Sequence, residues 1–156
     1  MQVLLFFLNG REYGVSLKNV DFISQNMQVV KVPNALETIS GIAMLRGKVV
    51  PVYNLALHFG YTKQATEYLL VVNIDDIKIA LEVGMVDRVI WIEKEDVISL
   101  PVIIRINQPY FQEAFVYEGK LIGLLDISGL LSRQGKKELD LLIEKNAKKI
   151  TPTEGI

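Results

Sequence analysis

The residues that could do chemistry in this chain are few: one histidine, no cysteine and two short acidic groups. His58 lies within Asn54-Leu55-Ala56-Leu57-His58-Phe59. As a general base or a metal ligand it would need partners. A single imidazole with no thiolate and no neighbouring acidic cluster makes a poor metal site. Its plainer reading is a half-exposed residue on a short helical segment. Asp75-Asp76 and the group Glu93, Glu95, Asp96 fall in turn-like stretches, where carboxylates are solvated and aspartate favours the turn through local hydrogen bonds. An acid pair for hydrolysis or a divalent-cation site is the sharper alternative there. Gly-rich phosphate loops and the Gly-x-Ser-x-Gly elbow do not occur. The sequence therefore offers no catalytic set, no metal site and no cofactor site.

Composition points the same way. The 156 residues are half hydrophobic and 22% charged, which suits one globular domain or two small ones. The net charge of −1 gives no electrostatic case for nucleic acid. Without cysteine, disulfides and thiolate chemistry are excluded. The apolar start at 3–8 is too short for a signal peptide and has no basic segment before it. No run approaches the roughly 20 apolar residues of a membrane span. A soluble cytoplasmic protein is the expectation.

Strand patterns run to about residue 127 and come in two rounds. Residues 3–8 are continuously apolar and end at Asn9-Gly10, a hairpin turn. Residues 12–17 then alternate, with Tyr13, Val15 and Leu17 on one face. Short apolar runs follow at 29–32, 42–45 and 49–53. In the second round, 69–74 ends at Asp75-Asp76 and 78–83 alternates with Ile79, Leu81 and Val83 in register. These three lie 66 positions after Tyr13, Val15 and Leu17, and Val20-Asp21 meets Val86-Asp87 at the same offset. Further on, Gly47-Lys48-Val49-Val50 resembles Gly119-Lys120-Leu121-Ile122, and Asn54-Leu55 resembles Asp126-Ile127, both at an offset of 72. The second round thus carries about six extra residues, placed near 101–109. Two similar units of about five short strands are predicted, each suited to closing into a small barrel without exposed edges. The boundary falls near 61–67. From residue 136, Leu139, Leu142, Ile143, Ala147 and Ile150 take helical spacing, and Thr151-Pro152 ends that helix.

Three features suit a protein partner. Phe6-Phe7 extends a run without polar alternation, as in a strand buried on both faces. Trp91 lies in Val89-Ile90-Trp91-Ile92, with core and binding-surface readings both open. Arg46 sits at a tight turn before Gly47, either solvated or positioned for a neighbour.

The stretch from Gly41 through Met44-Leu45-Arg46-Gly47-Lys48-Val49-Val50-Pro51-Val52-Tyr53 to Asn54-Leu55 resembles the signature of CheW-type chemotaxis coupling proteins. The opening hairpin, Val86-Asp87-Arg88-Val89, and the close from Gly119 to Leu131 match in order, covering roughly 3–133. The resemblance implies a mostly β fold of two tandem SH3-like five-stranded barrels plus a C-terminal helix. The domain would span 1–134, with units at roughly 1–60 and 67–131 and an exchange of terminal strands compatible with the pattern; 135–156 would be helix and tail. It implies a cytoplasmic, non-enzymatic adaptor between chemoreceptor signalling tips and the regulatory domain of the histidine kinase CheA, with no membrane insertion. The runner-up is a divergent scaffold of the same fold for another kinase pathway, such as surface motility; a small-molecule-binding double barrel comes third. By resemblance the partner-binding positions are Val20, Phe22, Gly41, Arg46, Gly47 and Val89. Phe22 stands where the family has an acid that pairs with the signature arginine, and Met44 replaces an asparagine. Arg46 thus needs another acid, exposure to solvent, or a cation–π seat on Phe22. Asp21, adjacent on a strand, would face the other way.

Overall fold

The computed structural model describes residues 1–25, 27–35, 37–62, 66–108 and 110–130. The predicted helix at 136–150 lies outside them. Two sheets account for the described chain. Strands β1 (Gln2–Leu8) and β2 (Arg11–Ser16) join β8 (Met85–Trp91), β9 (Val97–Ser99), β10 (Phe111–Tyr117) and β11 (Lys120–Leu125) in the order β8-β1-β2-β11-β10-β9. Strands β3 (Val20–Ser24), β4 (Ile39–Leu45), β5 (Lys48–Asn54), β6 (Tyr68–Ile74) and β7 (Ile77–Val83) form the other, in the order β3-β6-β7-β5-β4. Two short helices follow β5 and β9: α1 (Leu55–His58) and α2 (Val102–Asn107).

The repeat is present residue by residue. Leu124 meets Gly14 in the parallel pairing of β11 with β2, and Val52 meets Ala80 in that of β5 with β7. Gly41 opposes Val52 after a bulge in β4, and Glu113 opposes Leu124 after a bulge in β10. Each correspondence keeps the offset of 66 for the β1–β3 portion and 72 for the β4–β5 portion. Each sheet therefore holds the leading hairpin of one round and the remaining strands of the other. The hairpins turn where expected, at Asn9-Gly10, Arg46-Gly47 and Glu118-Gly119, with both residues of each turn at positive φ. The extra residues of the second round fall between Ile90 and Phe111, where β9 and α2 lie.

Three apolar clusters result. A shared core between the sheets takes Leu4, Phe6, Leu8 and Val15 from one and Leu70, Val72, Ile79, Leu81 and Val83 from the other. The opposite side of β1 sends Val3 and Leu5 into a second cluster with Phe115, Ile122 and Leu124. The opposite side of β6 sends Leu69 and Val71 into a third with Ala43, Val50, Val52 and Ala80. Strands β1 and β6 are thus buried on both faces, which is why neither alternates in sequence.

One predicted strand is corrected. Residues 29–32 contribute a single bridge, Val30 to Ile42, with hydrogen bonds of 2.8 Å in both directions. The strand of that region is β3, which begins at the Val20-Asp21 step.

Candidate functional site

His58 closes α1, held there by Asn54, whose buried side-chain oxygen accepts from the Leu57 amide at 3.0 Å. Its Nδ1 lies 2.8 Å from the Tyr53 hydroxyl, and its ring packs among Tyr53, Phe59 and Tyr110. Its buried Nε2 has no hydrogen-bond partner among the described residues, and burial pushes the imidazole pKa below its ordinary value. This is a half-buried packing residue in an aromatic seam that also includes Tyr13, Tyr61 and Phe111, with the Tyr13 and Tyr61 hydroxyls 2.6 Å apart. Asp75 and Asp76 are exposed at the β6–β7 turn, and Glu93, Glu95 and Asp96 are exposed around a 3-10 turn. Among the described residues no three His, Asp or Glu side chains gather as a metal site.

The arginine raised a sharper question. Arg46 and Gly47 form the two-residue turn between β4 and β5, with φ of +48° and +79°. Gly47 takes that conformation without strain, and a Cβ there would meet open space. The Arg46 guanidinium carbon lies 5.6 Å from the centre of the Phe22 ring. At an exposed site such a cation–π contact contributes about 0.5–1 kcal/mol. A bulge in β3 between Val20 and Phe22 explains the arrangement. Val20 faces the shared core and Phe22 faces the third cluster, while the extra residue, Asp21, is bound by Lys78 at 2.5 Å. That hydrogen bond, more than the weaker field of Arg46, holds the Asp21 carboxyl below its usual range. Of the three seats open to Arg46, the structure has the aromatic one.

Gly41 acts by close approach. A Cβ there would lie 2.1 Å from the Val30 carbonyl oxygen, so any side chain would break the Val30–Ile42 bridge. Val89 lies in the other sheet, on edge strand β8, and is 44% exposed. The six residues therefore do not form one cluster. Phe22 and Arg46 sit together with Gly47 beside the arginine in the turn; Val20 packs on the shared core and Gly41 against Val30 in the same sheet; Val89 stands apart.

Sequence reasoning left two surfaces unspecified. Trp91 is 65% exposed, with its indole N–H on a Glu93 carboxylate oxygen at 2.9 Å, so it belongs to the surface and not the core. With Met85 and Val89 it makes β8 an apolar edge. Helix α2 exposes Val102, Ile103 and Ile106. The run of branched apolar residues gave their type, but not which side they would face. Arg88, next to Val89, bonds Glu118 at 3.1 Å and stands over Tyr117.

Exposed apolar edges and a posed cation are features suited to protein contact. The CheW-like domain matches residues 2–135. A chemotaxis protein CheW from Treponema pallidum is 31% identical over 150 residues, covering 90% of this chain and 86% of its own. One from Bacillus subtilis is 24% identical, covering 87% and 90%. The crystal structure of the scaffolding protein TtCheW from Thermoanaerobacter tengcongensis superimposes with a TM-score of 0.79 at 26% identity, covering 86% of this chain and 94% of that one. The chain belongs to the CheW-like domain family, the non-enzymatic chemotaxis scaffolds that couple receptors to the kinase CheA.

Proposed function

We propose that this chain works in the cytoplasm as the adaptor between a chemoreceptor signalling tip and the regulatory domain of a CheA-type kinase. In this reading the two sheets are SH3-like barrels of one domain over 1–134, followed by a C-terminal helix and tail over 135–156. Receptor contact centres on Arg46 and Gly47 with Phe22, and extends to Val89. Val20 and Gly41 hold the strands that carry them. The apolar edge of β8 and the face of α2 are surfaces for further protein contact. The observation that carries the reading is the exposed arginine at the apex of the signature turn, seated on an aromatic ring instead of being buried in a salt bridge. The described residues contain no helix long and apolar enough to cross a membrane.

The test is a titration with the kinase regulatory domain from the same source, followed by the receptor signalling-tip hairpin. Binding of both at tens of micromolar or better supports the adaptor, a range expected of modest transient interfaces. Phe22, in place of an acid, motivates a second reading: a scaffold of the same fold serving another kinase pathway. Kinase binding with no binding of any receptor tip would favour that one.

A further inference from the structure

The internal repeat gives Arg46 a control within the same molecule. Position 22 corresponds to position 88, and position 46 to position 118. In the second round these positions hold Arg88 and Glu118, joined by an ion pair at 3.1 Å. A strand residue and a hairpin-turn residue thus neutralise each other. In the first round the turn residue is the cation, and the strand residue is a phenyl ring that seats it without cancelling its charge. The acid next to Phe22, Asp21, is engaged by Lys78 and feels Arg46 only as a weaker field. Among the described residues no carboxylate lies within ion-pair distance of Arg46.

We infer that Arg46, a cation with no ion-pair partner among the described residues, is held by Phe22 for a carboxylate on the receptor hairpin. Phe22 is then a specificity-determining residue: it prevents internal neutralisation of the kind seen at Arg88–Glu118 and makes the partner supply the acid. A planar guanidinium held over a ring keeps its outer N–H donors free for a carboxylate. Partners with a neutral or basic residue at that place would be discriminated against. The inference rests on the receptor contact proposed above.

The experiment measures binding of the receptor signalling-tip hairpin at low and high salt to four variants: Arg46→Lys, Arg46→Gln, Phe22→Glu, and Phe22→Glu combined with Arg46→Gln. Binding of the kinase regulatory domain serves as the check that each is folded. Arg46→Lys should keep most of the affinity. Arg46→Gln should lose about fivefold and most of the salt dependence, as for a partly exposed charge pair. Phe22→Glu should match Arg46→Gln, because its new carboxylate neutralises Arg46 from within, and it should add no loss in the Arg46→Gln background. Unchanged binding by Arg46→Gln overturns the inference, as does an equal loss from Phe22→Glu in both backgrounds, which would make Phe22 a packing residue only. Failure of the unaltered chain to bind the hairpin while it binds the kinase overturns the receptor reading and this inference together. Receptor binding indifferent to the charge at position 46 overturns the inference alone.

Discussion

Phe115 stands on β10 against Gly14 and Val3, whereas the matching residue of the other sheet, 72 positions earlier, is Ala43. The small residue there leaves a volume that Phe22, Met27 and Val29 fill from outside the β4–β5 hairpin. Four further positions correspond, Val3 with Leu69, Leu5 with Val71, Ile122 with Val50 and Leu124 with Val52, whereas Ile90 of the second cluster matches Ser24, which is outside the third. The two sheets share a hydrogen-bonding frame, and each core takes its aromatic residue from a different strand. What looks in sequence like a lost acid at position 22 is also the aromatic of its core. The surface consequence, an unneutralised Arg46, follows from a packing solution beneath it.

The largest test of the comparison is at Gly41. Alanine there should cost about 2–3 kcal/mol, because its Cβ cannot coexist with the Val30 carbonyl and two backbone hydrogen bonds would be lost. The matching residue of the other sheet is Glu113, which pairs with Ser99 on β9 and carries its side chain in solvent. Glu113→Ala should stay within about 0.5 kcal/mol. Denaturant melts of both variants read the difference, and equal effects would mean that the two outer segments are held alike.

Next is the exchange of small residues under the aromatics. Gly14 corresponds to Ala80, and a Cβ at Gly14 would stand 2.7 Å from a Val3 methyl and 3.1 Å from the Phe115 ring. Gly14→Ala should destabilise by about 1–3 kcal/mol through overpacking. Shortening the ring in a Gly14→Ala, Phe115→Leu double variant should recover part of that loss, a coupling expected only of residues in contact. Additive costs in the melts would refute the packing account.

These positions also mark what the sequence could and could not disclose. The repeat, its offsets, the hairpin turns and the double burial of β1 were legible, because turn chemistry and apolar periodicity are local. The sheet to which each leading hairpin belongs was not. Both rounds carry the same pattern, so β2 fits β5 or β11 equally well by periodicity, and only non-local packing chooses. The bulge that separates Val20 from Phe22 was hidden for the same reason: a run of alternating residues does not reveal an extra one. At the candidate site, the Arg46 turn and its options could be read from residue types. The occupation of Asp21 by Lys78, across 57 positions of chain, could not.

A smaller contrast concerns acid. Tyr53 and His58 correspond to Leu125 and Leu130, so one round has a polar pair where the other is apolar. Burial keeps the His58 pKa below its ordinary 6.5 in the fold. The unfolded chain therefore binds the proton first as pH falls. The stability tied to His58 is fully present above about 6.5 and declines as pH drops below that value. His58→Leu, which copies the other round, should flatten this part of the stability–pH curve. An unchanged curve would assign the acid sensitivity to other groups.

The smallest effect is expected where the surfaces differ most visibly. Arg88 and Glu118 are half or more exposed, with side chains at 51% and 68% of full accessibility, so their ion pair is screened and costs side-chain entropy to hold. Arg88→Ala should lower stability by less than about 0.5 kcal/mol. Arg46→Ala should cost about 0.5 kcal/mol, the lower end expected for an exposed cation–π contact. Thermal melts of the two variants would then be nearly superimposable, while only Arg46→Ala weakens receptor binding. A large loss of stability from Arg46→Ala would make the signature arginine a brace for the β4–β5 turn. Small losses from both, with binding lost from one, would locate the difference between the two rounds in what they present to a partner.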